Sequence, residues 1–189
     1  MTEYMAGGRR RIDRVLAPDY LLDLENIDIS DLRARRTEAD QEETDLSYAR
    51  RLIQGRLDLL RAEREARDAG QGHLIGSGTA SDAEIAKRLS KALADPRPRS
   101  SFGLGRHLSR LRPSRIGENR REAERAVADV NGSDLAELSD EELLGAVERL
   151  DEVERRVSKS RREVQQVVDK LTAELARRYQ VGQVPVATS

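Results

Sequence analysis

Residues 43–58 read ETDLSYARRLIQGRLD, and residues 154–169 read ERRVSKSRREVQQVVD. The first stretch carries Glu43, Ser47, Arg50, Gln54 and Asp58. The second places the same residue types at the same offsets, as Glu154, Ser158, Arg161, Gln165 and Asp169. An α-helix turns about 100° per residue, so these offsets share an arc of roughly 80° along roughly 22 Å of helix. Each set is a polar stripe on one side of a helix.

Apolar positions repeat in the same frame. Leu46, Ile53, Leu57 and Leu60 in the first copy correspond to Val157, Val164, Val168 and Leu171 in the second. Upstream, Leu32 corresponds to Leu143, and Arg51 corresponds to Arg162. This apolar row lies roughly 80° around the helix from the polar stripe. Two helices zipped along such seams present their polar stripes on the flank of the pair. Antiparallel pairing brings the motifs level about a pseudo-twofold axis, an arrangement suited to a twofold-symmetric ligand.

The elements around the motifs follow from capping and breaking residues. Residues 1–17 are polar, with Gly7, Gly8 and an Arg9-Arg10-Arg11 run, and are expected to be a disordered tail. Residues 18–29, PDYLLDLENIDI, are dense in Leu and Ile and suggest a short docking helix or segment. Ser30 is positioned to cap a long helix over 30–69, ended by Gly70 and Gly72. Residues 70–117 suggest a flexible linker rich in Gly, Pro and Arg, with one short helix near 81–94 behind the capping box Ser81–Glu84. A short helix over 118–131 follows, ended by Asn131-Gly132. The capping box Ser139–Glu142 then opens a second long helix over 139–180, and 181–189 form a tail. The fold class expected is all-α: two long helices pairing as an antiparallel coiled-coil hairpin, with accessory helices and a linker.

Composition limits the functions available. Charged residues make up 37% of the 189, aromatic residues 3%, and there is no Trp and one Phe. That favours long helices with a narrow apolar seam over a thick globular core. The net charge of −1 gives no polycationic signature of a nucleic-acid binder, although eight Arg lie in 97–121 against Glu118 alone. No direct specific DNA binding is expected, and the Arg-rich run reads as a solvated tether. Zero cysteines exclude thiol catalysis and Cys-ligated zinc. No apolar run approaches the length of a membrane span, so the expected location is cytoplasmic.

Catalytic and metal chemistry find little support. His73 and His107 have no neighbouring Cys or paired carboxylates at metal-ligand spacing, so no metal is assigned. Ser101 and Ser109 near His107 lack a strand-turn-helix elbow, and GQGHLIGSG lacks the strand and Lys-Ser/Thr of a phosphate loop. No catalytic residue is assigned, and the chain is expected not to be an enzyme.

The stripe suits a guanine nucleotide. Arg can clamp guanine O6 and N7 or stack on the base, and a carboxylate can accept from guanine N1–H and N2–H₂. Ser, Gln and Arg reach phosphate and ribose oxygens. The same groups could instead form a ladder of interhelical ion pairs.

The paired pattern Glu-x3-Ser-x2-Arg-x3-Gln-x3-Asp resembles the signature of the RsiG family of anti-sigma factors, matched at all ten positions. The resemblance implies that these ten residues bind cyclic di-GMP, as an intercalated pair of molecules held on an antiparallel coiled coil. It further implies that the loaded form sequesters a WhiG-like, flagellar-type sigma factor that drives late sporulation genes. The alternative is a constitutive structural or adaptor coiled coil with no nucleotide ligand.

Overall fold

The computed structural model describes residues 3–70, 73, 117–131, 135 and 137–182. In order along the chain come α1 (Arg11–Val15), a 3-10 turn (Pro18–Leu21), α2 (Ile29–Asp68), α3 (Glu118–Asn131) and α4 (Asp140–Gln180). Among the described residues there is no strand, and no helix is long and apolar enough to cross a membrane. The fold is all-α, and its two long helices pack against each other. The short helix expected near 81–94, most of the linker and nearly all of the C-terminal tail lie outside the described residues, as do Ser101, His107 and Ser109.

The long helices begin where short polar side chains satisfy their first amide groups. At α4, the Glu142 amide donates to Ser139 Oγ at 3.3 Å and the Ser139 amide donates to Glu142 Oε2 at 2.9 Å, a reciprocal capping box. At α2 the cap is Asp28 rather than Ser30. The Asp28 carboxylate accepts from the Ser30 amide at 3.1 Å and from the Ser30 hydroxyl. The Asp28 carbonyl takes the first helical bond, from the Leu32 amide at 3.0 Å. Two capping residue types stand two positions apart in DIS, and the carboxylate, which also complements the helix dipole, takes the role. Gly70 and Gly182 end the helices with φ of +66° and +70°.

The chain forms two compact units, each with its own antiparallel helix pair. The first comprises Met1–Tyr48, Ser109–Arg120 and Arg156–Ser189; the second comprises Ala49–Leu108 and Arg121–Arg155. In the first, Arg33 donates to Tyr179 Oη and Arg36 to Thr172 Oγ1, at 2.6 and 3.2 Å, so rising numbers on α2 meet falling numbers on α4. In the second, Arg61 reaches Asp151 and Arg67 reaches Asp140, at 2.6 and 3.0 Å, in the same sense.

The core is a heptad seam. Leu32, Ala39, Leu46, Ile53 and Leu60 recur every seven residues along α2 and all are buried. Leu143, Leu150, Val157, Val164 and Leu171 do the same along α4. A sustained period of seven is the pattern of left-handed coiled-coil packing. Burying one of the seam's Leu, Ile or Val side chains contributes about 1.5–3 kcal/mol. Of the apolar positions shared by the two sequence repeats, Val168 alone is only half-buried. Among the positions three residues beyond the seam, α4 buries Ala146, Ser160 and Val167, and α2 buries Glu42 and Glu63 as well as Ala49.

The N-terminal segment corrects an expectation. Residues 3–17 are not a disordered tail: Ile12 and Val15 share one face of α1 and are fully buried in the first unit. Asp13 fastens the segment, accepting from Arg10 Nε at 2.8 Å and from the Met5 amide at 2.8 Å. The bond to Arg10 holds its carboxyl below the ordinary range. Two apolar residues at helical spacing outweighed a polar composition. The following segment also belongs to the first unit. Tyr20 donates to the Arg35 carbonyl at 2.8 Å, and Arg178 donates to the carbonyls of Ile27 and Leu24.

Candidate ligand-binding site

The ten motif residues divide between the units. Glu43, Ser47, Ser158, Arg161, Gln165 and Asp169 belong to the first, and Arg50, Gln54, Asp58 and Glu154 to the second. Nine are half-buried and Asp169 is exposed. Each stripe flanks a seam residue that fixes its side chains in azimuth: Leu46 beside Ser47, Leu57 beside Asp58, Val157 beside Ser158, Val164 beside Gln165.

In the first unit, Arg161 Nη1 donates to Glu43 Oε1 at 3.0 Å, and Ser47 Oγ donates to the same oxygen at 2.9 Å. In the second, Arg50 Nε donates to Glu154 Oε1 at 3.2 Å, and Gln54 Nε2 donates to the same oxygen at 2.9 Å. Each unit therefore joins the Arg of one motif to the Glu of the other, with a neutral donor sharing the carboxylate oxygen. All four charged side chains keep about a quarter or less of their surface exposed. Charge-assisted bonds at that depth are screened less than surface ion pairs.

The two arrangements differ in both donors: the neutral one is Ser47, from the same motif as Glu43, in the first unit and Gln54, from the motif opposite Glu154, in the second. Arg161 uses Nη1 for Glu43, and its buried Nε has no hydrogen-bond partner among the described residues. Arg50 directs its Nε at Glu154. A buried N–H left without an acceptor costs about 1–3 kcal/mol.

Ser158, Gln165, Asp169 and Asp58 sit on the expected helix faces but take no part in these four bonds. The Ser158 carbonyl accepts from Arg162 Nε at 3.2 Å. The cleft lined by Val15, Leu16, Leu21, Val167, Lys159 and Lys170, about 540 Å³ in volume, contains none of the ten residues.

Beside the first motif lies a polar junction that the motif gave no sign of. Glu42 accepts from Asn119 Nδ2 and, at 3.4 Å, from Arg11 Nη1, which also donates to Asp45 Oδ2 at 2.8 Å. Glu42 and Asp45 are almost wholly buried. Burial pushes the Glu42 carboxyl up to about 7, against the pull of Arg11 and Asn119. Its one signal in the sequence is a glutamate falling three residues beyond a heptad position. In the second unit, Glu63 is buried likewise and accepts from Arg67 at 2.8 Å, with His73 Nδ1 2.8 Å away.

The sequence profile of a protein family described as RsiG-like matches residues 18–95 and 129–189, more than half of the chain. The matched residues include both motifs and both long helices. No curated protein matches the chain.

Proposed function

Because the chain belongs to the RsiG-like family, whose members point to a function of the anti-sigma type, we propose that it is a cyclic di-GMP-dependent anti-sigma factor. Glu43, Ser47, Arg50, Gln54, Asp58, Glu154, Ser158, Arg161, Gln165 and Asp169 take the ligand, bound as a stacked pair. The loaded protein sequesters a flagellar- or sporulation-type, WhiG-like sigma factor in the cytoplasm and blocks transcription of its regulon. The chain acts as a regulator and not as an enzyme.

One observation carries this reading: the motif Arg of each unit faces the motif Glu contributed by the other long helix. A guanidinium and a carboxylate at one place offer an anion clamp together with an acceptor for the guanine N1–H and N2–H₂ edge. Arg51 and Arg162 add positive charge beside the motifs, which offsets repulsion between stacked phosphodiesters. Binding stabilises the paired helices in proportion to its preference for that state.

The same ion pairs also favour a second reading, a constitutive coiled coil whose stripes serve pairing specificity. Calorimetric titration with cyclic di-GMP, with cyclic di-AMP as control, separates the two. The receptor gives saturable binding of the guanine form, lost by at least about a hundredfold in R50A/R161A, as expected when charged hydrogen bonds worth about 1.5–3 kcal/mol are removed. The adaptor gives no heat with either nucleotide and no rise in melting temperature.

A further inference from the structure

We infer that Glu43 and Glu154 are resident counter-ions which an entering ligand must displace from Arg161 and Arg50, and that this exchange selects guanine over adenine. The inference rests on the cyclic dinucleotide reading and adds the step by which the site excludes other ligands.

The motif cations are already neutralised within the fold: Arg161 by Glu43 at 3.0 Å, Arg50 by Glu154 at 3.2 Å. A phosphate that draws either guanidinium off its carboxylate breaks an ion pair and leaves a half-buried carboxylate facing a second anion. Such a carboxylate is costly unless donors replace the lost guanidinium. A phosphodiester linkage by itself brings no donors. The guanine edge brings two, N1–H and N2–H₂, in the geometry a carboxylate accepts. Adenine presents at the corresponding edge an N1 lone pair beside one amino group, so half of its edge repels the carboxylate. Only a ligand that is anion and paired donor at once satisfies both members of the broken pair.

The neutral donors make the exchange possible in steps. Ser47 stays on Glu43 Oε1 and Gln54 on Glu154 Oε1, at 2.9 Å each, while the guanidinium swings away. The carboxylate thus keeps its place and one hydrogen bond until the guanine edge arrives. In the first unit the departing Arg161 also gains, because its buried Nε, which has no acceptor among the described residues, takes one from the ligand.

The test measures affinities for cyclic di-GMP and cyclic di-AMP, which share backbone and charge, on the full chain and on E43Q/E154Q. Glutamine keeps the size of the side chain and removes its charge, so each ion pair weakens to at most a neutral-acceptor hydrogen bond and no carboxylate is stranded. Cyclic di-AMP is expected to bind the double variant about tenfold more tightly or better than it binds the wild type, as follows from losing one charged hydrogen bond as a competitor. The ratio of the two affinities falls accordingly. An unchanged ratio, with the wild type still binding the guanine form, overturns the displacement gate and leaves the receptor reading intact. A wild type that binds neither dinucleotide overturns both. Should the double variant lose its helical circular dichroism, E43Q and E154Q singly each open one unit's pair, and each is expected to shift the ratio in the same direction.

Discussion

The two halves of the motif set carry the same chemistry in different states of satisfaction. In the second unit, Glu154 Oε1 accepts from both Arg50 Nε and Gln54. In the first, Glu43 Oε1 accepts from Arg161 and Ser47, yet the buried Nε of Arg161 is idle among the described residues. The first half also adjoins the junction of Arg11, Glu42, Asp45 and Asn119, where α1 and the start of α3 bear on α2. Identical motif letters therefore do not give identical sites. Which nitrogen a guanidinium offers depends on the helix opposite and on the packing beneath, neither of which belongs to the motif.

The severest way to break this comparison is to remove the seam that holds either half. Leu46→Ala in the first unit and Leu57→Ala in the second each delete a fully buried side chain next to a motif residue. Each is expected to cost about 2–5 kcal/mol in urea unfolding. A loss well under 1 kcal/mol at either position would remove that residue from the core.

A smaller effect separates the halves by pH. The folded carboxyl of Glu42 lies above its ordinary value, at about 7, so the native state holds its proton more tightly than the unfolded chain does. The stabilisation is complete below the unfolded value of about 4.5 and is lost as pH rises through about 7. Its size is on the order of 3 kcal/mol at most. Melting temperature should therefore fall between pH 5 and pH 8, and Glu42→Gln should flatten that slope. An equal slope in the variant would assign the pH dependence to another group.

The finest distinction sharpens the comparison directly. On the cyclic di-GMP reading, Arg50 exchanges one partner for another on binding, whereas Arg161 also gains an acceptor for its idle Nε. R161A is expected to weaken binding about three- to tenfold more than R50A, the worth of one net hydrogen bond. Equal losses by calorimetry would show that the idle donor carries no binding energy.

Much of this was legible in the sequence because it is local. Seam and stripe follow from helical periodicity, and Ser139–Glu142 announced the start of α4 four letters at a time. Ser30 was expected to cap α2 and Asp28 does so instead, because both residue types cap helices and the spacing does not rank them. The junction was hidden for a different reason. Arg11 meets Glu42 and Asp45 at separations of 31 and 34 residues, and Asn119 meets Glu42 at 77. No periodicity within one helix encodes a pairing at that range. The ordering of α1 was missed likewise, since two apolar residues in a basic stretch matter only once a surface exists to bury them. The idle donor of Arg161 could not have been found at all from a motif that writes both arginines alike.

The anchoring of α1 has a practical side. Arg11 ties the N-terminal segment to Glu42 and Asp45, and the next residue on α2 is Glu43. Tyr4 lies on the same segment and is exposed, and the chain contains no cysteine. A single thiol introduced at position 4 would thus be the unique attachment point for a fluorophore. Its emission would report whether the N-terminal segment stays docked when cyclic di-GMP is added, with every motif residue left untouched.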